Sequence, residues 1–274
     1  EAIFKDEKTK QLAKEAIELR YQMLPYNYSL AFENHVHGTP LMRPVFMEDT
    51  NAKWSESSAD EYMWGSCFLV KPITKKIEAN SFPIQVVHAP AGTWYDFKSG
   101  REAAPLHIVT GDISTDEPNI KTDQKFLIGG DLSSIPVLVK GGSFVPLSPV
   151  FQSTEAYVDT AVTIHYYDAE ELTTSEGIWY EDDGVTNEAY EKGLYKYLYM
   201  KMTQSPKKTK LSFAPNYGEL IQKNEFIFDV CIHSERIPKR ILINGRKIKF
   251  NVDGKNIQLE MKLSEKVQNI QLNW

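Results

Sequence analysis

Cysteine is nearly missing from these 274 residues: there are two, Cys67 and Cys231, far apart and in no C-x-x-C pairing. That excludes a disulfide framework and a zinc knuckle. No run approaches the roughly 20 apolar residues of a membrane span, and the N-terminal stretch is too charged for a signal peptide. Basic excess is also lacking. Lys plus Arg number 31 against 37 Asp plus Glu, a net charge of -6 with no block of one sign, which argues against nucleic acid or an anionic membrane as partner. Phosphate loops are absent too, since "LIGGD" and "KGGS" have neither the lysine nor the following helix.

Aromatic residues are plentiful: 14 Tyr, 13 Phe and 5 Trp, beside 14 Pro and 15 Gly. This composition favours strands and turns over a helical bundle. The chain is long enough for two domains of ordinary size.

One helix is expected over 6–37. Leu12, Ala16, Leu19 and Met23 recur at helical spacing with Ala13, Ile17 and Leu24 beside them, so one face is apolar and needs a neighbour to cover it. Pro25 inside the run predicts a kink, and Gly38 followed by Pro40 predicts the stop.

Beyond Pro40 the helical period gives way to about a dozen short strand-like runs, among them Tyr62–Ile73, Ile135–Lys140, Ser143–Pro146, Leu194–Gln204 and Arg240–Ile243. Gly141-Gly142, Asp183-Gly184, Asn244-Gly245 and Asp253-Gly254 punctuate them, and the Asp-Gly and Asn-Gly pairs suit tight hairpins. Strands without interleaved helices fit antiparallel β-sandwiches. A Pro- and Ser-rich link at 149–154 divides them into domains over 38–150 and 151–274. Residues 98–134 read as a polar surface excursion within the first.

The most charged motif is "WYEDDG". Glu181 and Asp183 on one strand would lie roughly 7 Å apart, a separation compatible with a glycosidase carboxyl pair. Two residues of one hairpin cannot readily flank a sugar, however. Asp182 and Asp183 are candidate ligands for a structural calcium ion, although the spacing does not follow the familiar calcium loop. A turn built on Asp183-Gly184 is the favoured reading. Trp94, Tyr95, Trp179 and Tyr180 are candidate sugar-stacking residues, set against a core role for one member of each pair. His35 and His37 sit about 200° apart on a helix and cannot share an ion. The other four histidines are scattered, and no Ser-His-Asp or Cys-His grouping stands out.

Several stretches together resemble family 31 of the glycoside hydrolases. "LRYQMLPYNYSLAFENHVHGTPLMRPVF" (Leu19 to Phe46) is similar to that family's last barrel helix and the entry into its next domain. "YMWGSCFLVKPI", "APAGTWYDF" and "IPVLVKGGSFVPL" resemble its proximal C-terminal sandwich, and "GIWYEDDGVT" and "NIQLNW" its distal one. The resemblance implies an all-β pair of antiparallel sandwiches, preceded by one long α-helix (1–37) left over from a (β/α)8 barrel. It also implies a parent that hydrolyses α-glucosides with retention, through two Asp residues upstream of this helix. No residue here then inherits a catalytic role, and no cofactor is called for. Glu1 in place of Met reads as the start of a processed or cut chain. The expected partners are the missing barrel of the same polypeptide, the parent's α-glucoside or oligosaccharide, and a second copy meeting the bare helix; residues 1–37 are expected on the first sandwich or on that copy. The competing reading is a stand-alone carbohydrate-binding or structural double sandwich.

Overall fold

A computed structural model describes residues 5–48, 60–74, 84–105, 123–129, 135–221, 226–254, 256–263 and 267–274. Most of the excursion expected over 98–134 lies outside the described residues. The fold is mostly β, with helices at the N-terminus.

The helical segment is two helices rather than one. α1 spans Glu7–Gln22, capped by the Asp6 carboxylate, which accepts the Thr9 N–H at 3.0 Å. α2 spans Leu24–His37 and ends on Gly38 at φ +70°. Met23 closes one helix and opens the other. Pro25 therefore stands in the first turn of α2, where its missing N–H costs no helical bond. The carbonyl that a residue-25 N–H would have met in a continuous helix is Tyr21 O, and it accepts the Ser148 hydroxyl at 3.1 Å instead. Ser148 also donates its N–H to Gln22 O at 2.9 Å. One serine thus answers two carbonyls freed at the break.

The chain separates into two compact units, Met42–Gly141 and Glu1–Leu41 with Gly142–Trp274. In the first, β1 (Met42–Arg43), β2 (Tyr62–Trp64), β3 (Phe68–Val70), β7 (Val137–Lys140) and β5 (Trp94–Asp96) form one sheet in the order β1-β2-β3-β7-β5. β4 (Ile84–Pro90) pairs with β6 (Asp123–Gly129). Met63, Leu69, Trp94 and Leu138 of the larger sheet meet Val87, Ala89 and Phe126 of the smaller in one core.

The second unit is a sandwich of two larger sheets. One contains β10 (Thr174–Asp182), β11 (Tyr195–Ser205), β12 (Lys208–Tyr217), β18 (Gln268–Asn273), β14 (Arg240–Ile243) and β15 (Arg246–Ile248) in that order. The other runs β16 (Val252–Asp253), β17 (Asn256–Leu263), β13 (Phe226–His233), β9 (Thr163–Tyr167) and β8 (Phe144–Leu147). Strict alternation drives the packing. Leu198, Met200 and Met202 of β11 and Leu211 and Phe213 of β12 point inward to meet Phe228, Val230 and Ile232 of β13 and Ile164 and Tyr166 of β9.

Three expectations need correction here. β8, from the "GGSFVPL" stretch assigned to the first sandwich, pairs with β9 in the second. β9 and β13 run parallel, so this sandwich is not wholly antiparallel. The helices group with the second set of strands, and α2 packs on β10 and β8, because the outer face of β10 and β11 is itself aromatic.

Candidate functional site

The "WYEDDG" stretch forms the end of β10, and strand alternation sends its side chains to different environments. Trp179 points into the sandwich, fully buried, edge-on to Phe226 at 5.3 Å between ring centres. Glu181, two residues on and on the same face, is also buried. It accepts the Trp179 indole N–H and the Tyr157 hydroxyl, both at 2.5 Å. Burial pushes its carboxyl up to about 7, against the lowering effect of those two donors. Lys196 stands opposite it in register, paired with Asp159 and lying 4.8 Å from the Phe226 ring centre.

Tyr180 faces the other way, onto α2. Its ring stacks on Phe32 at 4.1 Å and 5°. Its backbone N–H donates to the Ser29 hydroxyl at 3.0 Å, and that hydroxyl donates to Pro25 O at 2.7 Å. Tyr28 and Tyr180 donate their hydroxyls to the two oxygens of Asp182, at 2.6 and 3.1 Å. Burial together with the neighbouring carboxylate raises both phenols well above their ordinary range. At the far end of α2, His35 pairs with Glu191. The motif is thus the seat on which α2 docks.

This geometry answers each chemical reading of the motif. Glu181 lies in the interior while Asp183 is exposed, so the two do not flank a common cleft. Asp183 does not close a tight hairpin, since β10 and β11 are joined by residues 183–194. It caps the opening of that connection, accepting the N–H groups of Val185 and Thr186 at 3.1 and 2.8 Å and the Thr186 hydroxyl at 2.5 Å. Those bonds hold its carboxyl below the ordinary value. Asp182 also accepts the Gly184 N–H. The two carboxylates that are candidate calcium ligands are engaged by O–H and N–H donors.

The four candidate sugar-stacking residues are core residues. Trp94 and Tyr95 are buried, with the Trp94 indole N–H bonded to Pro90 O at 2.9 Å. Trp179 and Tyr180 are at most 4% exposed. A pyranose can stack only on a ring face open to solvent, and these rings offer none.

Two features escaped the sequence reading. The first is a grouping of His165, Cys231 and His233, whose ligand atoms all lie within 4.8 Å of one another. The histidines looked scattered because the parallel pairing of β9 with β13 is what joins them. Only the i, i+2 spacing of Cys231 and His233 in "VCIH" was a local sign. The second is the state of α1. No residue of it is buried, and Ile17 and Leu19 of its apolar stripe are 56% and 38% exposed. A groove lined by Ala13, Ile17 and Tyr21 of α1 and by Val150 and Phe151 runs along this stripe.

Residues 38–145 match the glycosyl hydrolase family 31 C-terminal domain. Among curated proteins, alpha-glucosidase 2 of Bacillus thermoamyloliquefaciens is 33% identical over 247 residues, covering 88% of this chain and 27% of that protein. An alpha-xylosidase of Saccharolobus solfataricus is 29% identical over 217 residues, covering 77% and 25%. Among solved structures, a GH31 dextranase of Flavobacterium johnsoniae superposes with a TM-score of 0.78 over 98% of this chain and 33% of its own, at 24% identity. A glucosidase II alpha subunit gives 0.76 over 100% and 30%, at 17% identity. These two structures support the fold alone.

Fold and match together relate this β-rich chain to the non-catalytic C-terminal domains of family 31 glycosidases. The chain carries the C-terminal domain region of glycoside hydrolase family 31, and its described residues contain no catalytic barrel. It spans about a quarter of the length of these curated relatives.

Proposed function

We propose that this chain serves as the non-catalytic C-terminal portion of a retaining α-glucosidase-type hydrolase and supports a catalytic barrel supplied by the same polypeptide. The observation that carries the reading is α1. Its C-terminal end is tied down by Ser148, yet none of its residues is buried, and Ala16, Ile17 and Leu19 of its apolar stripe are exposed. A stripe of this kind stabilises nothing until another element buries it, and a barrel wall supplies that element. The α-glucoside is then bound and cleaved by the barrel, and this chain contributes no catalytic group.

Two measurements test the proposal. The purified 274-residue chain should leave an aryl α-glucoside intact. The coding sequence upstream of Glu1 should contain strand–helix alternation long enough for a barrel, which takes roughly 250 residues. Turnover by this chain, or an upstream sequence lacking such alternation, would sink the reading. The stand-alone carbohydrate-binding alternative draws no support from the aromatic residues, because all four are buried.

A further inference from the structure

The outer face of the β9–β13 pair has a chemistry unlike the rest of the sandwich. Inward positions of β13 carry Phe226, Phe228, Val230 and Ile232, so Cys231 and His233 lie on the opposite face. Parallel register sets Cys231 beside His165 and His233 beside Tyr167. His165 Nδ1 stands 2.8 Å from His233 Nε2, and Cys231 Sγ stands 3.7 Å from that same nitrogen. Tyr167 stacks on the His233 ring at 4.3 Å and 5°, fixing its plane. Cys231 and His233 are 3% and 5% exposed, while His165 is half-buried.

We propose that His165, Cys231 and His233 form a binding site for a divalent transition metal ion of the zinc type, with one coordination position left for a further ligand. The donor set suits a borderline-soft ion, which takes thiolate and imidazole together. Arms of ordinary length on a tetrahedral zinc place ligand atoms about 3.3–3.6 Å apart. The Cys231–His233 separation is close to this range, the two histidine nitrogens need to part by about half an ångström, and the Cys231–His165 separation is within 4.8 Å. Coordination requires neutral imidazole and thiolate. Metal entry therefore displaces one proton from sulfur to solvent. Asn256 stands opposite His233 in register, hence on the same face, and its Oδ1 is buried with no hydrogen-bond partner among the described residues. That oxygen can fill the fourth position or accept from a metal-bound water. Half-buried His165 is on the accessible side of the cluster.

Titration of the reduced, chelator-stripped 274-residue chain with Co(II), followed by absorbance, tests the site. One equivalent should produce a thiolate-to-cobalt charge-transfer band in the near ultraviolet and strong tetrahedral bands in the visible. Stoichiometric Zn(II) should displace both. Cys231→Ser should remove the charge-transfer band and Cys67→Ser should leave it. His165→Gln, at the least buried of the three positions, should weaken cobalt binding by about tenfold or more with an unchanged circular dichroism spectrum. If Cys231→Ser fails to fold, His165→Gln and Cys67→Ser decide the matter. No charge-transfer band in the parent chain, a band lost with Cys67→Ser, or unchanged affinity in His165→Gln would overturn the proposal.

Discussion

The Ser29 hydroxyl and the Tyr180 backbone N–H meet at 3.0 Å, joining the middle of α2 to the last turn-side residues of β10. Ser29 is 3% exposed and also bonds Pro25 O. Ser29→Ala leaves the N–H of Tyr180 buried without its acceptor, and an orphaned buried group of this kind costs about 1–3 kcal/mol. The urea midpoint should fall accordingly, with hydrogen exchange rising at Tyr180 and along α2. An unchanged midpoint and unchanged exchange would show that α2 is not held here.

Glu181 makes stability depend on pH in an unusual direction. Its folded value, raised to about 7, stands above its ordinary value of 4.5, so between these limits the folded state binds more protons than the unfolded one. Stability from this group is fully present below about 4.5 and is lost as pH rises towards 7. Glu181→Gln should flatten the fall in urea midpoint across that window. Parallel pH profiles for the two proteins would refute the assignment.

Trp179 separates a core role from a binding role. A fully buried tryptophan replaced by alanine costs about 3–5 kcal/mol, whereas a surface-binding aromatic would change stability by at most about 0.5 kcal/mol. Calorimetry on Trp179→Ala should show a large loss of thermal stability. A titration of the parent chain with maltooligosaccharide should be flat.

Ile17 probes the uncovered face of α1. Because it is more than half exposed, Ile17→Asp should leave the melting temperature of this chain within a degree or two, in keeping with a surface change of about 0.5 kcal/mol or less. If the stripe mediates association, sedimentation of the parent chain should show a concentration-dependent heavier species that the variant loses. Identical sedimentation of the two chains would leave self-association without its surface.

Legibility in the sequence followed the range of the interaction. The α1 stripe and the alternation of Leu198, Met200 and Met202 are local patterns and could be read directly. The break at Met23 could not, because Pro25 admits both a kinked helix and a new start; Ser148, far along the chain, supplies the bonds at the junction. Alternation sent Trp179 inward, but Tyr180 is covered by α2, a tertiary contact its own strand does not announce. The Asp183-Gly184 dipeptide announces turn chemistry but not the length of the connection, since Thr186 takes part in the cap. His165 and Cys231 become neighbours only through a parallel pairing of distant strands.

The position of β18 bears on how this sandwich is made. This strand, Gln268–Asn273, lies between β12 and β14 and pairs with both. The larger sheet therefore has a gap in its middle until those residues have been synthesised, and its earlier strands wait with unpaired edges. Closure is thus delayed until the last strand of this sheet has been synthesised, when a chaperone sheltering those edges would matter most. For the same reason loss of this one strand would split the sheet rather than fray its rim.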